Sequence, residues 1–365
     1  MAFLNQLYIE NYRGIKDLAI AQLKQINLIV GDNNCGKTSV LEAVELLRTS
    51  GNLANIYRIA RQRDRLAIMS ANSIFDNFLC MFQRNEDTKL SISVSGTCNN
   101  KSISYNLQGT LDRILLDVKE LSGGRYKSQV FPNGEIEADV FDGKISLTYG
   151  EERKDTEVHI NQYSSVSGTP SSDKDEFNII YVSPFEHLHG SVVSKIVKND
   201  SYKQICIKAL QLFDSDIEDM MIFRSDIGNR PVEYLRHKKL GDMPVSSYGD
   251  GIKKVLALSN AIVSAANGIL LIDEIETAIH KKYYDDIFRF IVKACKAFHV
   301  QAFITTHSIE AIDGLLATQD YEEQTETDDI CACTIKRTLD GSFSRVLSGR
   351  EVYENREAFG FEVRL

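Results

Sequence analysis

The sequence of 365 residues predicts an α/β protein with a parallel central sheet and an antiparallel β lobe. Three observations give this prediction. An apolar run at 26–30 leads through a glycine-bearing loop into a helical pattern that reaches Leu47. A second apolar run, 269–272, ends in two acidic residues, and a strand that is buried on both faces of a parallel sheet has this pattern. Between them, much of 88–182 alternates apolar with polar residues, which is typical of an antiparallel sheet.

Residues 31–38 match the pattern G-x-x-x-x-G-K-[ST] at every fixed position and stand between a predicted strand and a predicted helix. The glycines let main-chain N–H groups approach phosphate oxygens, and the following helix directs its positive end at the same anion. We therefore predict a site for ATP and Mg²⁺, in which Lys37 reaches the β- and γ-phosphates and Thr38 ligates the metal. The predicted nucleotide-binding residues of this segment are Gly31, Asn33, Asn34, Gly36, Lys37, Thr38 and Ser39.

Composition narrows the possible classes of protein. With 43% hydrophobic residues, the chain can bury a core that fits one large domain with insertions. No membrane span or secretory signal is expected, since no apolar run approaches 18 residues and the first residues lack a signal pattern. The seven cysteines have no C-x-x-C spacing, which favours a cytoplasmic protein. A net charge of −9 argues against a protein whose surface is largely covered by bound nucleic acid, although a local basic groove remains compatible with this charge.

Before the loop, residues 3–30 predict two antiparallel strands and then the strand that enters the loop. Arg13 lies near the end of the first strand. It either binds the nucleotide or is a solvated residue at a strand end. After the loop helix, 52–86 is predicted to be helical, and four arginines are grouped between positions 58 and 65. These form either a face that contacts phosphates or an ordinary solvated surface. The four are Arg58, Arg61, Arg63 and Arg65.

The middle of the chain, 52–240, reads as an insertion into the domain that holds the loop. Its helical part is followed by antiparallel β structure over 88–182, with turn signals at 132–134 and at Asp142-Gly143. A helical arm is predicted over 190–222. The remaining parts, 1–51 and 241–365, are the two pieces of the loop-bearing domain.

Two further clusters in the insertion carry charge. Asp214-Ser215-Asp216 has the D-x-D pattern of some metal sites, but we interpret it as a helix end. The second cluster is basic and lies on a hairpin-like segment, where it is available for phosphate contacts. Its members are Arg230, Arg236, His237, Lys238 and Lys239.

The later part of the chain supplies a second set of candidate site residues. Residues 246–251 open a helix with polar residues and glycine, which is another arrangement that binds anions. Asp273 ends the apolar run at 269–272 and is placed to hold Mg²⁺, directly or through water. Glu274 is placed to orient or deprotonate an attacking water, as a catalytic residue. His307 ends another buried strand; we predict that it senses the γ-phosphate, and a structural role is the alternative.

These elements, in this order and with Ile9-Glu10-Asn11-Tyr12-Arg13-Gly14 before them, resemble the ABC-type ATPases of the SMC, RecF and OLD (overcoming lysogenization defect) group. The resemblance is close over 1–50 and 240–315. It implies that Ser247 and Gly249 belong to a signature motif, which in this family meets the γ-phosphate of ATP bound to the opposite subunit. It also implies that Asp273 and Glu274 form Walker B and that His307 is the switch histidine.

The sequence departs from the family pattern in two places. Residues 246–250 lack the leading leucine and the double glycine of the strict signature, and no glutamine of Q-loop type follows Tyr181. OLD proteins usually carry a TOPRIM nuclease domain as well. The residues after His307 are too few for that domain and contain no D-x-D, so the resemblance implies that any effector is a separate polypeptide.

The sequence therefore predicts an ATPase that forms a homodimer or a larger homo-oligomer around ATP. By the resemblance, it controls a separate nuclease or toxin in prokaryotic anti-phage defence. The alternative is a RecF- or SMC-type ATPase of DNA repair or recombination that binds DNA through its basic clusters. An ABC transporter subunit fits less well, because the insertion is too long and begins directly after the loop helix.

Overall fold

The computed structural model describes residues 4–48, 53–64, 73–83, 88–117, 135–163, 177–188, 193–224, 231–321, 328–338 and 340–364. In chain order the strands are β1 (Leu4–Tyr12), β2 (Ile15–Ile20), β3 (Ile26–Val30), β4 (Lys89–Cys98), β5 (Lys101–Asp117), β6 (Glu135–Tyr149), β7 (Glu152–Asn161), β8 (Ile179–Val182), β9 (Ile217–Arg224), β10 (Pro231–His237), β11 (Gly241–Pro244), β12 (Ile269–Ile272), β13 (Gln301–Thr305), β14 (Ile330–Arg337) and β15 (Ser342–Ser348). The helices are α1 (Lys37–Leu46), α2 (Leu53–Ala60), α3 (Ile74–Leu79), α4 (Ser194–Val197), α5 (Asp200–Leu210), α6 (Asp250–Ser264), α7 (Tyr284–Ala297), α8 (Ile309–Leu316) and α9 (Gly349–Phe359). Among these described helices, none is both long enough and apolar enough to cross a bilayer.

The predicted parallel sheet has the strand order β15-β14-β3-β13-β12-β8. All its neighbouring strands run parallel except β15, which is antiparallel to β14. In register, Ile272 lies beside Ile304, and Ile304 lies beside Leu28. The carboxyl ends of β3, β13 and β12 therefore meet at one edge of the sheet, where ligands of open α/β sheets usually bind.

The sheet is buried on both faces, which explains why its strands are mainly apolar. Leu270 and Ile272 enter a core that includes side chains of α5, α6, α7 and α8. Ile269 and Leu271 point to the other side, where α1, α2, α3 and the antiparallel sheet form a second core. Full burial of each such side chain contributes roughly 1.5–3 kcal/mol. The strand ends that carry the candidate site residues are thus held by a rigid layer.

The antiparallel lobe is a six-stranded sheet in the order β2-β1-β4-β5-β6-β7. It confirms the predicted pairing of the first two strands. The turn predicted at Asp142-Gly143 is wrong, because β6 runs straight through it and Gly143 pairs with Gly109. A Cβ on Gly143 would lie 2.5 Å from the Gln108 carbonyl oxygen, so glycine is present here for close packing and not for a turn. The turn signal at 132–134 lies outside the described residues.

Two predicted boundaries need correction. Strand β8, at the end of the region predicted to be antiparallel, joins the parallel sheet beside β12. The helical arm predicted over 190–222 holds for α4 and α5 but is wrong from Ile217 onward, where β9 begins. Ile217 and Met220 of β9 are buried, and Met220 pairs with Leu235 of β10. The pairing of β9, β10 and β11 in a small antiparallel sheet therefore overrides the helical pattern.

The segment predicted to be helical over 52–86 contains α2, a 3₁₀ turn at Gln62–Asp64 and α3. A reciprocal capping box between Ser73 and Asp76 starts α3. Arg65 of the predicted arginine face lies outside the described residues. Arg58 and Arg63 form ion pairs with Glu45 and Glu42 of α1, whereas Arg61 is exposed.

Candidate functional site

The loop between β3 and α1 has the backbone geometry that its glycines predict. Gly31 has φ 142° and Gly36 has φ 108°, values that residues with a Cβ rarely adopt. A Cβ at Gly31 would also lie 2.3 Å from the Ile335 carbonyl oxygen. Helix α1 begins at Lys37 without a side-chain cap, so its first N–H groups are available to an anion.

Lys37 is folded onto this loop. Its Nζ donates to the carbonyl oxygens of Gly31 at 2.9 Å and of Asp32 at 2.8 Å, and the side chain is buried. Asn33 and Asn34 are exposed beside it, and Ser39 is buried in the first turn of α1. The ammonium group is thus held over the loop by main-chain oxygens that phosphate oxygens can replace.

Thr38 and Asp273 meet across the edge of the sheet. The Thr38 hydroxyl lies 3.0 and 3.2 Å from the two carboxylate oxygens of Asp273. Asp273 is buried and also accepts hydrogen bonds from the Tyr181 hydroxyl at 3.0 Å and from Thr305 Oγ1 at 2.6 Å. A hydroxyl and a carboxylate in contact are oxygen ligands of the kind that Mg²⁺ prefers, so this pair fits the metal that the sequence predicts.

Glu274 and His307 lie at the same edge, on the side open to solvent. Glu274 has φ 49°, and its N–H donates to Thr305 Oγ1 at 2.8 Å. The Nε2 atom of His307 lies 3.7 Å from a carboxylate oxygen of Glu274 and 3.7 Å from one of Glu276. The side chains of Glu274 and His307 are 39% and 43% exposed, so a phosphate can reach both.

A buried carboxylate beneath the first turn of α1 collects two arginines. Glu42 is fully buried and forms ion pairs with Arg13 at 2.7 Å and with Arg63 at 2.8 Å. Arg13 also donates to the Cys80 carbonyl, so its nucleotide contact stays a prediction that would require this ion pair to open. Arg63 reaches the first turn of α1, because its Nη2 donates to Ser39 Oγ at 2.9 Å.

The predicted signature residues lie elsewhere on the surface. Ser247 ends a 3₁₀ turn, Gly249 precedes α6, and both are exposed. No hydrogen bond between described residues joins either of them to the loop at 31–38. A Cβ added to Gly249 would meet no atom within 4 Å, so crowding within this chain does not require a glycine there.

The family model described as "AAA domain, putative AbiEii toxin, Type IV TA system" matches residues 26–313. This span contains the loop at 31–38, Asp273, Glu274 and His307. The chain belongs to this family.

Relatives of this AAA-domain protein cover nearly its whole length. An "ATP/GTP phosphatase" of Helicobacter pylori is 24% identical over 88% of this chain and 91% of its own length. The "DNA replication and repair protein RecF" of Rickettsia canadensis is 22% identical over 85% of this chain and 96% of its own. A solved SMC head bound to the C-winged-helix domain of ScpA aligns over 96% of this chain and 99% of its own, with 11% identity and a TM-score of 0.47. The family model thus shows an AAA domain, and two relatives that align over most of this chain are named as an ATP/GTP phosphatase and as RecF.

Sequence reasoning missed three residues whose hydrogen bonds hold Asp273 or His307 in the AAA-domain site. Tyr181 and Thr305 both donate to Asp273, and Glu276 accepts the His307 N–H at 3.0 Å. Each lies at or just beyond the carboxyl end of a strand of the parallel sheet, and that position is the signal that could have indicated them. His280, another residue near this edge, instead accepts the Lys282 N–H and starts a 3₁₀ turn.

Lys254 on α6 is an unexpected buried cation near the same edge. The residue has no exposed surface, and its Nζ donates to the Pro184 carbonyl oxygen at 3.2 Å. Burial lowers the pKa of Lys254 to about 8, although the negative charges of Asp273 and Glu276 oppose this shift.

The charged clusters of the insertion are mostly paired within the protein. Arg58 contacts Glu45 at 2.7 Å, and Arg236 contacts Asp242 at 2.9 Å. Arg230 lies outside the described residues. Residues Asp214, Asp216 and His237 come close enough to hold a metal ion.

That arrangement is nevertheless a structural one. The Nδ1 atom of His237 accepts the N–H groups of Lys239 and Leu240, so its Nε2 carries the proton and donates to Asp214. A protonated Nε2 cannot ligate a metal. Asp216 pairs with Lys239. These contacts fasten the β10–β11 hairpin to the turn after α5, which agrees with a helix-end role for the D-x-D sequence.

Proposed function

We propose that this protein binds ATP with Mg²⁺ at the carboxyl edge of its parallel sheet and hydrolyses it to ADP and phosphate. The contact between the Thr38 hydroxyl and the Asp273 carboxylate is the observation that carries this proposal, because it joins the two motifs that a P-loop ATPase needs at its metal. Lys37 would bind the β- and γ-phosphates, and Thr38 and Asp273 would hold the metal. The metal would neutralise charge on the phosphates.

The arrangement of side chains supports distinct roles for the two acids. Asp273 is buried and accepts hydrogen bonds from three hydroxyl groups, which fix the direction of its carboxylate. Glu274 is partly exposed and is free to orient and deprotonate a water molecule. Thr305 connects the two, because its hydroxyl donates to Asp273 and accepts the Glu274 N–H. His307 would then contact the γ-phosphate.

We further propose that two copies enclose ATP between them. Ser247 and Gly249 are exposed and make no described hydrogen bond to the loop of their own chain, so a second copy is the natural source of a signature contact. Contacts to the γ-phosphate from both copies would favour the closed dimer only with ATP bound. That difference in affinity is what a nucleotide switch requires.

The proposed output of this switch is control of a separate effector, a nuclease or toxin, in anti-phage defence. The family description, which names a toxin and a toxin–antitoxin system, supports a setting of this kind. Closure of the dimer would move the insertion at 52–240 and release or activate the effector. Expression of the neighbouring genes with and without Lys37→Ala would show whether growth arrest depends on the nucleotide site.

Loss of Lys37 tests nucleotide binding directly. We expect Lys37→Ala to raise the Kd for ATP at least tenfold, because hydrogen bonds to charged groups contribute about 1.5–3 kcal/mol. Lys296→Ala is the matched control, since that lysine pairs with Asp329 and makes no described contact with the loop. Calorimetric titration measures both. An unchanged Kd for Lys37→Ala would overturn the proposal.

A RecF-like function on DNA is the second candidate, and the RecF relatives favour it. The candidate phosphate contacts Arg58, Arg63 and Arg236 are all engaged with carboxylates, which is an argument against it. Titration of duplex DNA at 50 and 200 mM salt separates the two candidates. Tight binding that weakens steeply with salt would favour the DNA function.

A further inference from the structure

The segment Phe361–Arg364, which follows α9, returns to the nucleotide edge of the sheet. Glu362 and Arg364 line a cleft of about 430 Å³ together with the loop residues 31–33 and His307. The segment lies outside residues 26–313, the part of the chain that the family model matches. It is therefore an addition to the site that the family motifs do not describe.

The position of this segment is fixed by its packing. Val363 is fully buried, and its carbonyl oxygen accepts from Thr334 Oγ1 at 2.6 Å. Thr334 is the register partner of Val30, the residue directly before the loop. The Phe361 carbonyl oxygen accepts from Arg356 Nη1 at 2.9 Å. The segment is thus anchored to the sheet at the point where the loop begins.

Arg364 uses this position to contact the main chain of His307. Its Nη1 donates to the His307 carbonyl oxygen at 2.8 Å, while its Nε and Nη2 donate to Glu362 at 2.7 and 2.9 Å. On the other side, Glu276 accepts the His307 N–H at 3.0 Å. Charged side chains therefore hold both main-chain polar groups of His307.

Stability alone does not explain the Glu362–Arg364 pair. Both side chains are 34% exposed, and an exposed ion pair contributes little to folding, with a median of about 0–1 kcal/mol. The pair does, however, direct the planar guanidinium so that an N–H group on Nη1 reaches the His307 carbonyl oxygen. A hydrogen bond to a charged donor is stronger than a neutral one and fixes the direction of the peptide group.

We propose that Arg364, oriented by Glu362, is a positioning residue that holds His307 in place for the γ-phosphate. This inference rests on the proposed function, in which His307 contacts that phosphate. Because its N–H and its carbonyl group are both held, His307 keeps only its side-chain rotations. Less conformational entropy is therefore lost when the ring contacts ATP. Arg364 acts on the chemical step through His307 and leaves the affinity for ATP to Lys37 and the loop.

Steady-state ATPase kinetics of Arg364→Ala test the proposal. We expect kcat to fall about tenfold, as loss of one charge-assisted hydrogen bond predicts, with KM for ATP changed less than about twofold. Arg364→Lys should recover part of the loss, because an ammonium group can still donate to the carbonyl oxygen. Arg153→Ala is the matched control, since it removes an arginine from an exposed ion pair with Asp155 on β7. Circular dichroism and melting curves verify folding.

A double-mutant cycle with His307→Ala separates positioning from other roles. If Arg364 acts through the His307 ring, Arg364→Ala adds no further loss in the His307→Ala background. Independent, multiplicative losses would overturn the proposal. So would a tenfold rise in KM, which would mean that Arg364 binds the triphosphate directly. If wild type hydrolyses ATP and Arg364→Ala equals it, this inference alone fails, whereas a wild type without ATPase activity refutes the proposed function.

Discussion

Replacement of Lys254 by methionine should stabilise the protein at neutral pH. Lys254 is fully buried, and the described partner of its ammonium group is the Pro184 carbonyl oxygen. Burial lowers its pKa from the ordinary 10.5 to about 8 even with several carboxylates nearby, so the cost of desolvating the charge exceeds the attraction. Methionine has a similar shape and carries no charge that must be buried.

The expected magnitude follows from the pKa. The fall in the pKa of Lys254 from 10.5 to about 8 means that the buried charge lowers the free energy of unfolding by about 3 kcal/mol at pH 7, where the folded protein still carries this charge. Loss of the bond to Pro184 costs the variant about 1 kcal/mol, which leaves a net gain of about 2 kcal/mol. Between pH 8 and 10.5 the unfolded chain binds more protons at Lys254 than the folded one, so wild-type stability rises with pH over this range. The advantage of Lys254→Met should therefore disappear near pH 10.

Urea denaturation at pH 7 and pH 10 measures both effects, provided that each protein unfolds in one cooperative transition. Lys253→Met is the control, because that neighbouring lysine is partly exposed and pairs with Asp250. We expect little change for it at either pH. The reasoning would be refuted if Lys254→Met were less stable than wild type at pH 7, or if its gain persisted unchanged at pH 10.

Four further substitutions test the site and its support. Thr305→Val removes the hydroxyl that connects both acids, and we expect kcat for ATP to fall ten- to a hundredfold with folding intact; a wild-type rate would contradict the role given to Thr305. Gly31→Ala places a Cβ 2.3 Å from the Ile335 carbonyl oxygen, so we expect it to abolish ATP binding. Gly249→Ala is the control: its added Cβ meets no atom within 4 Å, so the melting temperature should stay unchanged. Glu42→Leu leaves two arginines unpaired and should destabilise the fold by about 3–5 kcal/mol in urea, and a loss below 1 kcal/mol would contradict this estimate.

The sequence predicts which strand ends meet at the candidate site, because its signals are local. The loop at 31–38 is a contiguous motif, the strand before Asp273 is an uninterrupted apolar run, and the strand before His307 has an apolar centre, as expected for a sheet buried on both faces. Parallel strands then bring their carboxyl ends together. The contact between Thr38 and Asp273 is the consequence that could be expected in advance.

Other features depend on pairing that no local pattern reveals. Tyr181 reaches Asp273 because β8 is the neighbour of β12, and the sequences of these two strands do not predict that they are neighbours. The Asp142-Gly143 pair has a turn composition, but cross-strand packing against Gly109 keeps it within a strand. Arg364 reaches His307 through the packing of a segment that lies far from it in sequence.

The mass of Glu274→Gln in the presence of ATP tests the central claim, that ATP joins two copies of this chain. The glutamine keeps the size of the side chain but cannot deprotonate water, so bound ATP should persist. Sedimentation velocity should show about twice the mass, or a larger multiple, with ATP and Mg²⁺ compared with ADP and Mg²⁺. Ser247→Arg in the same background should prevent this change, because it places a bulky cation at the expected contact. Equal mass with both nucleotides would contradict the account.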